Sequence, residues 1–281
     1  MAAGATGTGT APIKVGHLSS HLVIGVSSSL SSSAVLAPSG TMSLGASTAA
    51  LRTSERPLTQ RVALTAGWFL PLVAAFLVTV PVFLQAPWVR IAPASAVLFT
   101  APILTLGILL ERHHRQSWSE LGAVLVGFSG SWLAGCLFWG WCRMHPIWHL
   151  PIEAFALPLA LAGLNSRWRM AGAFYLASLV GTAATDGVMA LTGVMPLWPR
   201  VVAASLAEAG PLLKQAAQMV IQPLPLLTIG LAAGLLMLIC RQLWRRGGIW
   251  RLSAAALATT LAVDGLFLAA ALLAPGLSGL I

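Results

Sequence analysis

Acidic residues are almost missing from this chain. There are seven in 281 residues, and none precedes Glu55. Charged residues of both signs reach only 8%, against about a quarter in a soluble domain, so a soluble fold of this composition would lack the polar surface that keeps it dispersed. Cysteine is scarce as well. Cys136, Cys142 and Cys240 make no even-numbered framework and no CxxC or CxxCH spacing, which excludes a disulfide scaffold, a thiolate metal cluster and a c-type haem attachment; free thiols are expected. No glycine-rich phosphate loop, nucleophile elbow or HExxH pattern is present, so the sequence calls for no cofactor and no metal.

What the chain does have is apolar length. The hydrophobic set makes up 57% of the residues, gathered in runs that approach or exceed the roughly 20 residues one helix needs to cross the hydrocarbon. The runs do not alternate, which excludes a membrane barrel, and helices satisfy their own backbone groups in lipid. The formal charge is +9. Its cations sit between apolar runs and are not interleaved with aromatics on a polar surface, so the partner they point to is a lipid bilayer and not nucleic acid. The fold class is therefore all-α, a polytopic transmembrane helix bundle.

Residues 1–60 form a separate low-complexity region. Of these, 35 are Ala, Gly, Ser or Thr, too little apolar area to offset the entropy of ordering, and a disordered tail is expected. The bundle occupies residues 61–281. Seven spans are expected: Leu64 to Ala86, Ala92 to Leu110, Leu121 to Trp141, Ile147 to Leu164, Met170 to Val194, Ile221 to Cys240 and Leu252 to Ala274. The fourth is short and carries Pro151 and Pro158. Between the fifth and sixth, residues 201–220 carry one apolar stripe of Val202, Leu206, Leu213 and Val220, and read as an interfacial helix broken at Gly210 and Pro211.

Charge placement gives this topology a direction. With the N-terminus inside, Lys14, Arg52, Arg56, Arg61, Arg112, Arg115, Arg167, Arg169, Arg241, Arg245, Arg246 and Arg251 gather on the inner face. Arg90, Arg143, Arg200 and Lys214 fall outside, a split of 12 to 4. Were the fourth segment not to cross, the split would be 8 to 8, so the positive-inside bias favours seven crossings with the C-terminus outside. Ten of the eleven Trp lie near span ends, as in an interfacial belt, and only Trp132 sits mid-helix. Gly230 and Gly234 on the sixth span, and Ala173, Ala177 and Gly181 on the fifth, read as packing faces inside the bundle.

Three of the seven acids fall inside spans: Glu153, Asp186 and Asp264. A carboxylate there costs at least about 2.5 kcal/mol on insertion scales, so compensation is expected. Counted from the outer ends, all three lie in the outer half or near the midplane. Ser178, Thr182 and Asp186 recur every four residues with Tyr175 three before Ser178, and Ser253, Thr260 and Asp264 form a similar stripe on the seventh span. The expectation is one polar intramembrane site of Glu153, Asp186, Asp264, Thr182, Ser178 and Thr260. The competing reading is interhelical hydrogen bonding that only holds the bundle together.

Two further residues join this candidate site. His145, His149 and Glu153 are spaced i, i+4, i+8, which on one continuous helix would align them as metal ligands, although Pro146 and Pro151 oppose that continuity. His149 is retained as a site residue, with no metal assigned. Arg143, at the outer rim, either reaches toward Glu153 or Asp186 or snorkels to headgroups.

The stretches Pro81-Val82-Phe83-Leu84-Gln85-Ala86-Pro87, Gly127-Phe128-Ser129-Gly130-Ser131-Trp132-Leu133-Ala134-Gly135, His149-Leu150-Pro151-Ile152-Glu153-Ala154 and Gly181-Thr182-Ala183-Ala184-Thr185-Asp186 together resemble a cyanobacterial multi-pass membrane family, domain of unknown function 3120. The resemblance runs from about Arg61 to the sixth span. It implies a plasma or thylakoid membrane and supplies no activity. A weaker likeness joins Pro151-Ile152-Glu153 to the Pro-x-Glu-Glu motif of membrane-embedded lycopene cyclases, but Ala154 stands where that motif has its second Glu.

Three classes stay open at this point. Buried acids on several helices favour a small-solute or proton-linked transporter. An enzyme acting on a lipophilic, isoprenoid-like substrate would use a buried carboxyl as general acid. A non-catalytic assembly or pigment-handling protein of a photosynthetic membrane would place His149 against a chlorophyll or haem, within a membrane-protein complex or homo-oligomer.

Overall fold

Helices account for every regular element in the computed structural model, which describes the backbone of residues 58–273 and the side chains from residue 67 onward, that of Leu206 excepted. The expected tail over residues 1–57 and the chain's end after Leu273 lie outside the described residues. The elements are α1 (Leu58–Val80), a π turn (Pro81–Gln85), α2 (Ala86–Ile91), α3 (Pro93–Leu98), α4 (Thr100–Glu111), α5 (Gln116–Leu137) and a second π turn (Phe138–Cys142). A 3-10 turn (Pro146–Trp148), α6 (His149–Glu153), α7 (Leu157–Gly163) and α8 (Arg169–Leu191) follow. The chain continues through a 3-10 turn (Met195–Leu197), α9 (Trp198–Ala203), α10 (Leu206–Val220), α11 (Pro223–Arg246) and α12 (Ile249–Leu273).

Among the described residues, six continuous helical stretches are long and apolar enough to cross a membrane: Gly67–Ile91, Pro93–Glu111, Gln116–Cys142, Arg169–Leu191, Pro223–Arg246 and Ile249–Leu273. The chain nevertheless traverses the bundle seven times, because α5 and α8 run in the same direction. Gly127 abuts Ala171 and Gly130 abuts Tyr175, so position rises together along both helices. A chain that ascends twice side by side must descend between. The descent is made by α6 and α7, from His149 beside Phe138 to Arg167 beside Glu111. The 18 steps from His149 to Arg167 amount to about 27 Å at helical rise, close to the thickness of the hydrocarbon.

The same test fixes the other directions. Helix α12 runs with α8, since Ala173 meets Ser253 and Thr185 meets Asp264. The first traverse runs with α12, since Gly67 meets Arg251 and Phe83 meets Phe267. The α3–α4 traverse is opposite to α5, pairing Gly107 with Gly122 and Ala96 with Trp132. Arg112, Arg115, Arg167, Arg169, Arg241, Arg245, Arg246 and Arg251 therefore collect at one end of the bundle, and Arg90, Arg143, Arg200 and Lys214 at the other.

Helix α5 lies at the centre and packs through glycine on two sides. A methyl group on Gly122 would overlap the backbone of Glu111, and one on Gly127 would overlap the backbone of Ala171. Lipid gives helices no hydrophobic drive to associate, so backbones this close gain dispersion that larger side chains would prevent. Trp132 is fully buried on this helix, in T-shaped contact with Phe99 and Phe128, and its indole N–H donates to the Ala96 carbonyl. That bond satisfies the one polar atom of a mid-helix Trp.

Two expectations are corrected. The helix over residues 206–220 continues through Gly210 and Pro211, and the break falls at Ala204 and Ser205, where Ser205 and Glu208 form a capping box that starts α10. Gly230 and Gly234 are not an internal packing face: both are exposed, with nothing within 4 Å of a built Cβ. Helix α11 turns Leu236, Cys240, Leu243 and Trp244 inward, and at about 100° per residue the two glycines lie outside that stripe. The Ala173, Ala177 and Gly181 stripe does pack inside, with Gly181 against Thr260 and the Ala173 carbonyl against Ser253.

Candidate functional site

Two prolines shape the fourth traverse. A proline has no N–H to donate, and its ring opposes the carbonyl four residues earlier, which is Ile147 for Pro151 and Ala154 for Pro158. The chain accordingly forms a 3-10 turn over Pro146–Trp148 and breaks again between α6 and α7 at residues 154–156. Between the breaks, α6 is a five-residue helix. His149 and Glu153 are one turn apart on it and share a face, with the imidazole Nε2 3.5 Å from the Glu153 carboxylate.

That face meets α8. Nδ1 of His149 lies 3.0 Å from both oxygens of Asp186, and the Thr182 hydroxyl donates to Glu153 at 2.9 Å. The side chains of His149, Glu153 and Asp186 are only 12%, 14% and 12% exposed. Two turns before Thr182 on α8, the Tyr175 hydroxyl accepts from the Ala156 N–H at 3.1 Å and donates to the Glu153 carbonyl. Tyr175, Thr182 and Asp186 thus form one stripe of α8, every member bonded to the fourth traverse.

The walls are aromatic. The π turn over Phe138–Cys142 adds a residue to the α5 helical turn and brings the adjacent residues Phe138 and Trp139 toward His149, with ring centroids 4.2 and 6.3 Å away. Trp198 of α9 closes a third side at 5.8 Å and stacks on Trp139. Its indole N–H donates to the Arg143 carbonyl at 2.8 Å, which pins α9 over the site. These rings exclude water and lower the local dielectric, so the polar contacts inside are stronger than at a surface.

Asp264 occupies a neighbouring face of α8. It accepts a 2.6 Å bond from the Thr185 hydroxyl, and Thr185 adjoins Asp186 in the chain. The acids therefore form two linked subsites, one against α6 and one against α12. The remaining expected site residues stand apart from the network. Thr260 donates to its own helix at the Ala256 carbonyl and abuts Gly181. Ser178 is half-buried and makes no side-chain hydrogen bond among the described residues.

Arg143 is corrected more sharply. Among the described residues its guanidinium makes no ion pair, and the place between Glu153 and Asp186 is taken by His149. An arginine near the end of a helix reaches water more cheaply than it reaches a dry cluster. His145 is exposed beyond the first break and does not align with His149 and Glu153. The residues that sequence reasoning missed are Thr185, Phe138 and Trp198. Gln85 was missed too, a side chain 2% exposed that donates to the Trp132 carbonyl and to Cys136 Sγ. A lone amide inside an apolar run was the available signal for Gln85.

Both ring nitrogens of His149 face carboxylates, Nδ1 that of Asp186 on α8 and Nε2 that of Glu153 on α6. A histidine between two enclosed carboxylates is therefore a group that can hold a proton and pass it on.

These features define a polytopic helical membrane protein with an enclosed ionisable cluster at a broken traverse. Residues 74–272 match the family described as protein of unknown function, DUF3120, and the chain belongs to that family. No curated protein and no solved structure matches the chain.

Proposed function

We propose that the chain is a proton-linked transporter of a small solute, with His149, Glu153 and Asp186 as the proton site. The observation that supports this reading is the imidazole shared by two carboxylates on different helices, one of them a half-helix. Transport sites recur where traverses are discontinuous and ionisable groups face the bundle interior. Asp264, reached through Thr185, is the next station for the proton.

The charge asymmetry supports an orientation with the arginine-rich end cytoplasmic and the C-terminus outside, which puts the proton site nearer the outer surface. A cyanobacterial plasma or thylakoid membrane is the compartment that follows from the resemblance of the motifs. The other two classes find less support. The apolar groove between α1 and α12, about 260 Å3 and lined by Trp68, Leu72, Trp244 and Ala258, lies toward the arginine-rich end, away from the acids, so it gives a lipophilic substrate no approach to them. An axial bond from His149 to a pigment would need a free ring nitrogen, and both face carboxylates.

Proteoliposomes loaded with a pH-sensitive dye and challenged with pooled amino acids, sugars and organic acids test the reading. Solute-dependent proton movement in the wild type and none in Asp186→Asn is expected. Proton movement no greater than in empty liposomes, or full movement in the variant, would overturn it.

A further inference from the structure

Helix α6 carries two of the three proposed proton-site residues, yet it is five residues long and joined to α7 by a break. Its position must be set from outside. The break leaves a small number of backbone groups without helical partners. Leu157 N–H turns back to the Ala154 carbonyl at 3.0 Å, so the Glu153 carbonyl loses the donor a continuous helix would supply. Phe155 N–H takes the Ile152 carbonyl, which leaves Ala156 N–H unpaired by backbone. Both groups lie at membrane depth, where an unpaired backbone group costs several kcal/mol.

One hydroxyl satisfies both. Tyr175 accepts from Ala156 N–H and donates to the Glu153 carbonyl, standing in the helical ladder where a bridging water would otherwise fit. It is the only tyrosine in the chain and is 3% exposed. Its ring stands on α8 two turns before Thr182, so the same helix that faces the Glu153 side chain also holds the Glu153 backbone. The carbonyl it grips belongs to a proton-site residue.

We propose that Tyr175 is a positioning residue, a latch whose hydroxyl holds α6 against α8 so that His149 and Glu153 meet Asp186 and Thr182, and whose release lets α6 hinge at residues 154–156. The inference rests on the proposed function, in that it supplies the moving part which would open the proton site to one side. The two bonds of Tyr175 are the ones that hold the backbone at the hinge, and the side-chain contacts of His149 to Asp186 and of Glu153 to Thr182 must part with them for α6 to swing. Pro158 keeps the hinge from healing, because the missing N–H prevents closure of the ladder onto Ala154.

The test is carboxyl modification by a hydrophobic carbodiimide on the full chain in detergent, read residue by residue by mass spectrometry. Tyr175→Phe keeps the ring in its slot and removes only the hydroxyl. Modification of Glu153 is expected to rise about fivefold, the population change from losing roughly one net hydrogen bond, while Asp264, on α12, stays at the wild-type rate. An unchanged Glu153 rate, or an equal rise at both acids, would overturn the latch. Should Tyr175→Phe fail to fold, Pro158→Ala lets the ladder close and removes the hinge. Glu153 labelling is then expected to fall below the wild-type rate, and an unchanged or raised rate overturns the proposal. Labelling needs no transport, so selective labelling with a silent transport assay keeps the latch and removes the transport reading, and the reverse pattern does the opposite.

Discussion

The imidazole of His149 sits 3.0 Å from both carboxylate oxygens of Asp186, joining residues 37 apart in the chain. The pair ties the half-helix α6 to α8, and it is the contact on which the remaining geometry of the site depends. Its loss should therefore register in stability as well as in proton handling.

Asp186→Ala leaves a largely enclosed imidazole facing a cavity. A cost of about 3 kcal/mol is expected from breaking a buried charged pair by removing one partner. Glu153→Ala should cost less, because its contact to Nε2 is longer at 3.5 Å and the orphaned Thr182 hydroxyl can turn to its own helix. Denaturant titration in mixed micelles, following Trp fluorescence, measures both. An equal cost for the two would mean that His149 does not discriminate between its acids.

Close packing of α5 makes a second prediction. Gly127→Ala places a methyl on the Ala171 backbone, so α5 and α8 must separate, at a cost of about 2 kcal/mol. Gly234→Ala meets nothing within 4 Å and should be neutral or slightly stabilising through helix propensity. Thermal melts of the two variants in one detergent decide this, and comparable losses would contradict the packing described.

The seven traverses place Gln215 of α10 and Gly248, between α11 and α12, at opposite ends of the bundle. In a background with Cys136, Cys142 and Cys240 replaced, a single cysteine at 215 should react with an impermeant thiol reagent from outside intact cells, and one at 248 only after permeabilisation. Labelling of both from one side would remove a traverse.

The α10 cap is pH-sensitive. The hydroxyl and backbone N–H of Ser205 both donate to the Glu208 carboxylate, at 2.8 and 3.1 Å, and hold its pKa below the ordinary carboxylate value. The cap is therefore present above the usual carboxylate range and is lost as the pH falls through the lowered value. Amide exchange at residues 206–209, corrected for its intrinsic pH dependence, should accelerate only as the pH falls below the ordinary carboxylate range. Glu208→Gln should show no such transition, and an identical profile in that variant would exclude the cap as its source.

The sequence made the apolar traverses readable because hydrocarbon thickness sets their length, and the arginines readable because they cannot stay inside it. Glu153, Asp186 and Asp264 stood out for the same reason: an acid in an apolar run needs a partner. Which partner it takes is a three-dimensional fact. His149 and Glu153 lie one turn apart and could be paired by counting, but Asp186 joins them only because α5 and α8 run in parallel with α6 between them. Arg143 misled because a charge near a span end has two outlets, and the place beside the acids is taken by His149. Gly230 and Gly234 misled because GxxxG marks a surface that permits close approach without saying whether this chain supplies the approaching helix. The break at residues 154–156 was legible in Pro158 through its clash with Ala154, whereas the hydroxyl that fills it comes from Tyr175, 19 or more residues away in the chain.

Infrared difference spectroscopy of the purified protein across a pH titration reads the shared proton most directly. The account predicts that an imidazole band and a carboxyl band change together in one transition in the wild type, and that Asp186→Asn and His149→Gln each remove both. Retention of the carboxyl band in His149→Gln, or an imidazole that titrates unchanged in Asp186→Asn, would show that His149 and Asp186 hold no proton in common and would contradict the account.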